Sequence, residues 1–448
     1  MKNVFTKKIL DFASKLDRPL YAVGGVVRNY LIDKSRAEDF DLAADIPVDE
    51  LVYNAEKFGL KVLATYKRTC TVNFTDGENK YEYTAFRREK YRGGEHTPYE
   101  VQPTSNIVED AERRDFKCNA VYFDLKNLKF VDPLLGIKDI ENKVLDTVVS
   151  PSEVFSHDGL RLMRLARFGA ELNFTPTEEV ITAAKNCAVN IDQISVERIY
   201  AELKRLLVAD GKYSFSGSDA HYRGLKILDR TRVLDRIFPE LTSGRGMAQR
   251  ADFHDHDVLE HSLRCVKYSD STIRLAALLH DVGKPYCMIN EGKYHNHYLA
   301  GKRIAVEVLK RIKADTKTID EVAFLTGAHM LDMDCKMRES KIRLFMVDNY
   351  PLIDKLLKLK DADCMACKDE LKECQTVVKW KKLLDKMQVD GTPVRLKDLK
   401  INARDLIRLG YDGKRVGEEL ARLKRECVID PEKNERERLI KMAERDFK

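Results

Sequence analysis

At 448 residues the chain is too long for one compact core and calls for roughly two to four domains. Charged residues make up 34% and hydrophobic residues 44%, a globular balance that excludes a disordered or fibrous chain. The net charge is only +6, and no apolar run approaches the ~20 residues that span a bilayer, so no membrane partner is expected.

In chain order, Met1–Leu16 mixes lysines with Phe5, Ile9, Leu10, Phe12 and Leu16 and predicts an amphipathic helix. No apolar stretch with a small-residue cleavage site follows, so a cytoplasmic location is expected. Leu20–Val23 is a short apolar run ending at Gly24-Gly25, after which Val26, Val27, Tyr30 and Leu31 recur at helical spacing. Glycine at such a junction lets the backbone approach a ligand, and the helix N-terminus offers free N–H groups to an anion. Arg28, one turn in, adds charge-assisted hydrogen bonds to a phosphate.

Asp39-Phe40-Asp41-Leu42 has strand alternation, which places Phe40 and Leu42 on one face and the two aspartates on the other. Carboxylates about 7 Å apart on one strand face can hold two divalent ions and so activate a 3′ hydroxyl and neutralise pyrophosphate. Thr69–Phe74 and Lys80–Phe86 flank Asp76-Gly77 as a hairpin, with Glu82 a candidate third carboxylate. Val121–Leu125 and Lys129–Val131 predict another short strand pair. From Pro151 strands nearly vanish, and amphipathic helices follow, broken near 211–217, 244–246, 291–293 and 390–393. The fold class is therefore α+β in the head and all-α in the body.

Asp158 and Arg161 are three residues apart and are expected to share a helix face. A carboxylate only accepts hydrogen bonds and a guanidinium only donates them. Cytosine and adenine each offer an amino donor beside a ring acceptor, whereas uracil and guanine offer the opposite pattern. An adjacent acceptor and donor therefore select C and A. Further on come His261, then His280-Asp281, His295, His297, His329 and Asp363, a donor set suited to Mn, Fe, Ni, Zn or Mg. The ten cysteines form no dense framework and are expected to be reduced. Cys364 and Cys367 form one C-x-x-C with Cys374 nearby, but the second pair of a four-ligand zinc site is missing. From Thr376 to Lys448 there are 20 Lys/Arg against 14 Asp/Glu, so the tail carries the whole excess of +6 and suits a polyanionic partner.

Gly24-Gly25-Val-Val-Arg28 followed by Asp39-x-Asp41 resembles the nucleotidyltransferase superfamily that includes DNA polymerase beta. Glu82–Arg87, Glu109–Ala120, Asp132–Gly136 and His157–Phe168 narrow the resemblance to class II tRNA nucleotidyltransferases (CCA-adding enzymes) and bacterial poly(A) polymerases. The resemblance implies that Gly25, Arg28 and Arg114 bind the incoming nucleotide and that Asp39 and Asp41 are catalytic ligands for magnesium. It also implies that Asp158, Arg161, Arg164 and Arg167 contact base and phosphate. Asn29, Gly159, His157 and Lys117-Cys118 depart from the family pattern, where aspartate, proline, glutamate and Thr-Ile are usual. The histidine set resembles the HD superfamily of metal-dependent phosphohydrolases. There His261, His280, Asp281 and Asp363 match the core ligands of a divalent transition metal, and His297 and His329 match positions that extend the site.

The expected organisation is a nucleotidyltransferase head at 1–149, a helical neck at 150–215, an HD domain at 216–375 and a basic tRNA-binding tail at 376–448. The expected activity is addition of C, C and A to tRNA from CTP and ATP. Poly(A) polymerase, partial CC- or A-addition, and an HD phosphohydrolase with an RNA-binding head are the alternatives.

Overall fold

A computed structural model describes residues 1–34, 39–370 and 373–447. The chain divides into two compact units, Met1–Thr242 with Arg311–Lys313, and Ser243–Lys310 with Ala314–Lys448.

The first unit is built on a seven-stranded sheet of order β3-β4-β5-β2-β1-β8-β9. Its strands are β1 (Tyr21–Val23), β2 (Phe40–Ala44), β3 (Lys61–Tyr66), β4 (Thr71–Thr75) and β5 (Lys80–Ala85), followed after a separate hairpin of β6 (Arg87–Lys90) and β7 (Glu100–Pro103) by β8 (Tyr122–Asp124) and β9 (Lys129–Val131). The expected hairpin around Asp76-Gly77 is β4–β5, antiparallel, and the later pair is β8–β9. β3 and the β6–β7 hairpin were not legible beforehand: β3 reads Lys-Val-Leu-Ala-Thr-Tyr and stays largely exposed at the sheet edge. β2 and β5 run parallel with Asp41 opposite Glu82, while Val23 of β1 lies opposite Asp41 on the other side. Side chains directly opposite on neighbouring strands share a face, so this register brings Asp41 and Glu82 together.

The N-terminal expectation holds as a helix over Lys7–Lys15, capped by the Thr6 hydroxyl, which accepts from Ile9 N at 3.2 Å. Its Ile9, Phe12 and Ala13 are buried, and Phe12 meets Phe74 of β4 at 6.4 Å. Phe40 of β2 joins Phe5 and Tyr81 in the same aromatic layer, with centroids 5.7 and 5.4 Å away. Beyond the sheet the unit turns helical through Pro151–His157, Leu160–Leu172, Glu178–Asn186, Val196–Leu207 and Ala220–Arg230.

In the second unit every described element of regular structure is helical. The helices Val258–Lys267, Arg274–Leu279, Gly283–Glu291, His297–Arg311, Thr316–Ala328 and Tyr350–Lys368 surround the histidine cluster. Gly283 permits the closest crossing: a Cβ there would lie 2.1 Å from the His297 carbonyl oxygen and 2.5 Å from Gly301 N. The tail helices Ala403–Arg408, Gly413–Ile429 and Arg436–Phe447 close over a small core of Leu406, Tyr411, Leu423, Cys427 and Leu439. No helix among the described residues is long and apolar enough to cross a membrane.

Candidate active sites

Gly24 stands at the strand-to-helix junction with φ 75°, and a Cβ on it would meet the Asp41 carboxylate at 3.0 Å. Glycine therefore satisfies both the left-handed backbone and the close approach. The helix Gly25–Asp33 starts immediately after, and Arg28 is carried into the interior with 3% of its surface exposed. Its guanidinium donates to Asn29 Oδ1 at 2.9 and 3.1 Å and to Asn119 Oδ1 at 2.5 Å. These acceptors are neutral amides, so they orient the guanidinium without cancelling its charge. The departure to Asn29 thus leaves the Arg28 charge without the neighbouring carboxylate that an aspartate there would supply.

Asp39 directly precedes β2, which begins at Phe40. Asp39, Asp41 and Glu82 all line one cleft of about 1690 Å³, together with Gly25, Arg28, Arg114, Asp158, Arg161, Arg164 and Arg167. Burial pushes the Asp41 carboxyl up to about 6, with Glu82 and Asp39 adding to the rise and Arg114 and Arg28 opposing it. A buried carboxylate among other carboxylates is a place where a cation is stabilised. The donor chemistry fits a hard divalent ion.

The same cleft carries a cationic cluster. Arg28, Arg164 and Arg167 all lie over the Phe168 ring, at 5.1, 5.0 and 4.2 Å from its centroid. Arg164 is held by Asp115, its Nε donating at 2.8 Å. Asp115 in turn accepts from the Asn119 amide at 2.9 Å, which completes a chain back to Arg28. The Asp115 carboxyl sits well below the usual range, because Arg164 and its hydrogen bonds outweigh burial. Arg167 is clamped between Glu202 at 2.6 Å and Glu171 at 2.8 Å. Arg114 donates to Asp110 at 3.0 Å and to the Tyr122 hydroxyl at 3.2 Å.

The shared helix face expected for Asp158 and Arg161 is corrected. Asp158 is extended (φ −144°, ψ 108°) between two helices, and the second begins at Leu160. Its Oδ1 accepts from Leu160 N at 2.9 Å, so a residue that competes for the helix's own N–H groups ends up outside the helix. Its Oδ2 lies 2.9 Å from His96 Nδ1, in the turn between β6 and β7. Arg161 donates to the Arg113 carbonyl at 2.6 Å and lies over Tyr91 at 5.6 Å. Both residues still line the same cleft. His96, Tyr91 and Phe168 were missed. Phe168 closes the His157–Phe168 motif but is an apolar residue with no chemistry of its own, and His96 has no local pattern around it.

In the second unit the six ring and carboxylate ligands converge. His261 Nε2 lies 3.0 Å from Asp363 Oδ1 and 3.3 Å from His280 Nε2. Asp281 divides its two oxygens: Oδ2 is 3.2 Å from His280 and 3.5 Å from His261, while Oδ1 is 3.2 Å from His297 and 3.6 Å from His329. Two donor groups result, His261–His280–Asp363 and Asp281–His297–His329, with Asp281 between them. His280, His297 and His329 each place Nδ1 at 2.7–2.8 Å from the carbonyl three residues earlier, Ala277, Tyr294 and Thr326. A carbonyl only accepts, so each Nδ1 donates and each Nε2 is left to bind.

Burial lowers the pKa of the His280 imidazole, but the neighbouring Asp281 carboxylate outweighs it and holds the group well above its usual range. Lys284 reaches Asp281 Oδ2 at 2.6 Å. Lys360 is fully buried and donates to the His329 and Leu331 carbonyls at 2.6 Å each, tying the Asp363 helix to the His329 turn. His295 is exposed and belongs to none of these groups among the described residues. His254, which carried no sequence signal, lies with Cys367 beside His261 in a third group. Cys364 and Cys367 face different neighbours, Cys374 for the first and the histidines for the second.

Comparison with known proteins gives each region a relative. Residues 20–146 match the family of the poly A polymerase head domain, 173–244 the probable RNA and SrmB-binding site of polymerase A, and 258–366 the HD domain. A CCA-adding enzyme of Staphylococcus epidermidis is 36% identical over 44% of this chain and 48% of its own length, so the chain spans about half of that relative. An A-adding tRNA nucleotidyltransferase of Deinococcus radiodurans is 29% identical over 76% of this chain and 75% of its own length. Among solved structures, the Bacillus stearothermophilus CCA-adding enzyme in complex with CTP covers 100% of this chain and 98% of that one at a TM-score of 0.66 and 21% identity, which shows the shared fold.

Proposed function

From a chain that carries the poly A polymerase head domain, its RNA-binding neighbour and an HD domain, we propose a tRNA nucleotidyltransferase that adds C, C and A to the tRNA 3′ end from CTP and ATP without a template. The observation that carries this reading is one cleft with a carboxylate edge of Asp39, Asp41 and Glu82 and an arginine wall gathered on Phe168. Magnesium held by Asp39 and Asp41 would supply the charge that neutralises the attacking 3′ oxygen and the departing pyrophosphate.

The chain's own residues do the rest. The N-terminus of the helix Gly25–Asp33 and Arg28 bind the triphosphate. Arg114, fixed by Asp110 and Tyr122, adds a further cation at the same cleft. Asp158 and Arg161 read the base. Arg161 has five N–H groups and spends two on carbonyls, at 2.6 and 3.4 Å, so donors remain for a base. Asp158 likewise retains lone pairs beyond Leu160 N and His96. Arg164 and Arg167, each locked by carboxylates, set the floor of the base site, and the basic segment 376–448 holds the tRNA. The deciding experiment is to sequence the products made on tRNA lacking its 3′ end, with each NTP alone and together. Ordered C, C, A supports the proposal. A alone indicates the specificity named for the Deinococcus relative, and long A tracts indicate a poly(A) polymerase.

The second unit supports a further activity, hydrolysis of a phosphate ester at an RNA end. Its donor groups on either side of Asp281 would hold one or two divalent transition metals, which lower the pKa of a bound water. Lys284, which pairs with Asp281 at 2.6 Å, would meet a phosphate oxygen. A 2′,3′-cyclic phosphate or 3′-phosphate blocks nucleotide addition, so this reaction restores the substrate of the first unit.

A further inference from the structure

We propose that Asn73 reads the sugar of the RNA end being extended, by hydrogen-bonding the 2′-hydroxyl of its terminal ribose. The assignment rests on the nucleotidyltransferase reading above. Asn73 lies on β4 directly opposite Glu82 of β5, and Glu82 is in turn opposite Asp41 of β2. Opposed residues share a face, so Asp41, Glu82 and Asn73 form one polar row across neighbouring strands. Alternation along each strand sets this row apart from the core, because Phe40, Leu42, Val72, Phe74, Tyr81 and Tyr83 are buried on the other face. The row ends at the sheet edge with Ala64 of β3, whose methyl offers Asn73 no hydrogen bond. Asp41, Glu82, Asn73 and Ala64 all line the same cleft.

The Asn73 amide is unsatisfied: its Oδ1 is buried without a hydrogen-bond partner among the described residues. A buried acceptor left unpaired is destabilising, and asparagine is disfavoured in strands, so neither stability nor sheet propensity accounts for it. Rotation about χ2 exchanges the oxygen and the amino group, so the amide can meet either a donor or an acceptor. A hydroxyl is both.

The strand order indicates which hydroxyl. Gly24-Gly25 and Arg28, which take the triphosphate, follow β1 on one side of β2, whereas β5 and β4 lie on the other side. In-line displacement puts the attacking oxygen opposite the departing pyrophosphate. The RNA end therefore approaches over β5 and β4, where Glu82 and Asn73 stand. The 2′ and 3′ oxygens of a ribose are on adjacent carbons, and opposed side chains on adjacent strands start about 5 Å apart. A 3′ oxygen held at the carboxylates thus brings its 2′ neighbour to the residue one strand further on. A deoxyribose end leaves the amide unpaired.

The test uses the full chain and two tRNAs lacking the CCA end, identical except for ribose or 2′-deoxyribose at the terminal nucleotide. kcat/KM for the first addition is measured on each, and the affinity for each is measured by fluorescence anisotropy without nucleotide. The wild-type chain is expected to prefer the ribose end by about fivefold to tenfold, the scale of one hydrogen bond. Asn73→Ala and Asn73→Val, the second a good strand former, lower addition to the ribose end by the same factor and leave the deoxyribose end unchanged. Asn73→Ser, which keeps a group that donates and accepts, retains part of the preference. A wild-type chain that does not distinguish the two ends overturns the proposal, as does a preference that survives in both Asn73→Ala and Asn73→Val. An equal loss on both ends in both variants marks a structural role and also overturns it. Loss of the preference for CTP over 2′-deoxy-CTP, with the preference between RNA ends intact, assigns Asn73 to the incoming sugar instead. If neither RNA is extended, the nucleotidyltransferase reading fails, and the ratio of affinities for the two ends, wild type against Asn73→Ala, still decides whether Asn73 reads the sugar.

Discussion

Asp41 concentrates the chemistry of the first unit, because the β2–β5 register sets it beside Glu82 and the Gly24 turn closes over it. Asp39→Ala or Asp41→Ala is expected to lower nucleotide incorporation by at least about a hundredfold, the scale for losing a group that stabilises developing charge, while tRNA binding persists. Near-normal incorporation by either purified variant rules out the carboxylate mechanism. The raised carboxyl of Asp41 has its own signature. Its folded value is about 6 against 3.8 for the free group, so its contribution to stability is present below pH 4 and is lost as the pH rises through 6. Magnesium is therefore expected to raise the melting temperature more at pH 7.5 than at pH 5, and Asp41→Asn to remove the difference. Equal stabilisation at both pH values contradicts this. At the base site, Asp158→Ala or Arg161→Ala is expected to raise UTP and GTP incorporation by about tenfold or more relative to CTP and ATP, since the penalty for unpaired polar groups disappears. Unchanged exclusion of U and G in single-nucleotide assays defeats the acceptor–donor account.

At the scale of elements, the histidine cluster depends on one helix crossing. Gly283 lets the helix Gly283–Glu291 touch the start of His297–Arg311, and these two segments position Asp281 and His297. Gly283→Ala places a methyl 2.1 Å from a backbone carbonyl, which a flexible side chain cannot relieve. The expected cost is about 1–3 kcal/mol in chemical denaturation, together with loss of metal from the Asp281–His297–His329 group before the other. Full metal content and unchanged stability are the contrary result. The arginine wall is also a matter of elements: Phe168 on the helix Leu160–Leu172 collects Arg28 from a separate helix.

For the whole molecule, the two compact units carry separate sets of ionisable groups. Asp281→Ala is expected to abolish hydrolysis of 2′,3′-cyclic AMP and keep nucleotide addition, and Asp41→Ala to do the reverse. Loss of both activities in either variant, assayed on the same preparation, argues against independent centres.

The sequence by itself determined what is local. Gly24-Gly25, Asp39-x-Asp41 and His280-Asp281 are adjacent residues whose chemistry follows from spacing, and the hairpin at Asp76-Gly77 and the switch from strands to helices at Pro151 follow from short-range pattern. The helix carrying Arg161 formed as expected, but Asp158 stays outside it in extended backbone, where its carboxylate accepts Leu160 N. Only the tertiary structure decided that His96 meets Asp158, that three guanidiniums gather on Phe168, and that the two oxygens of Asp281 face different pairs of histidines. Those pairings join segments far apart in the chain, and the apolar packing that brings them together is set by the whole core, not by any window of sequence.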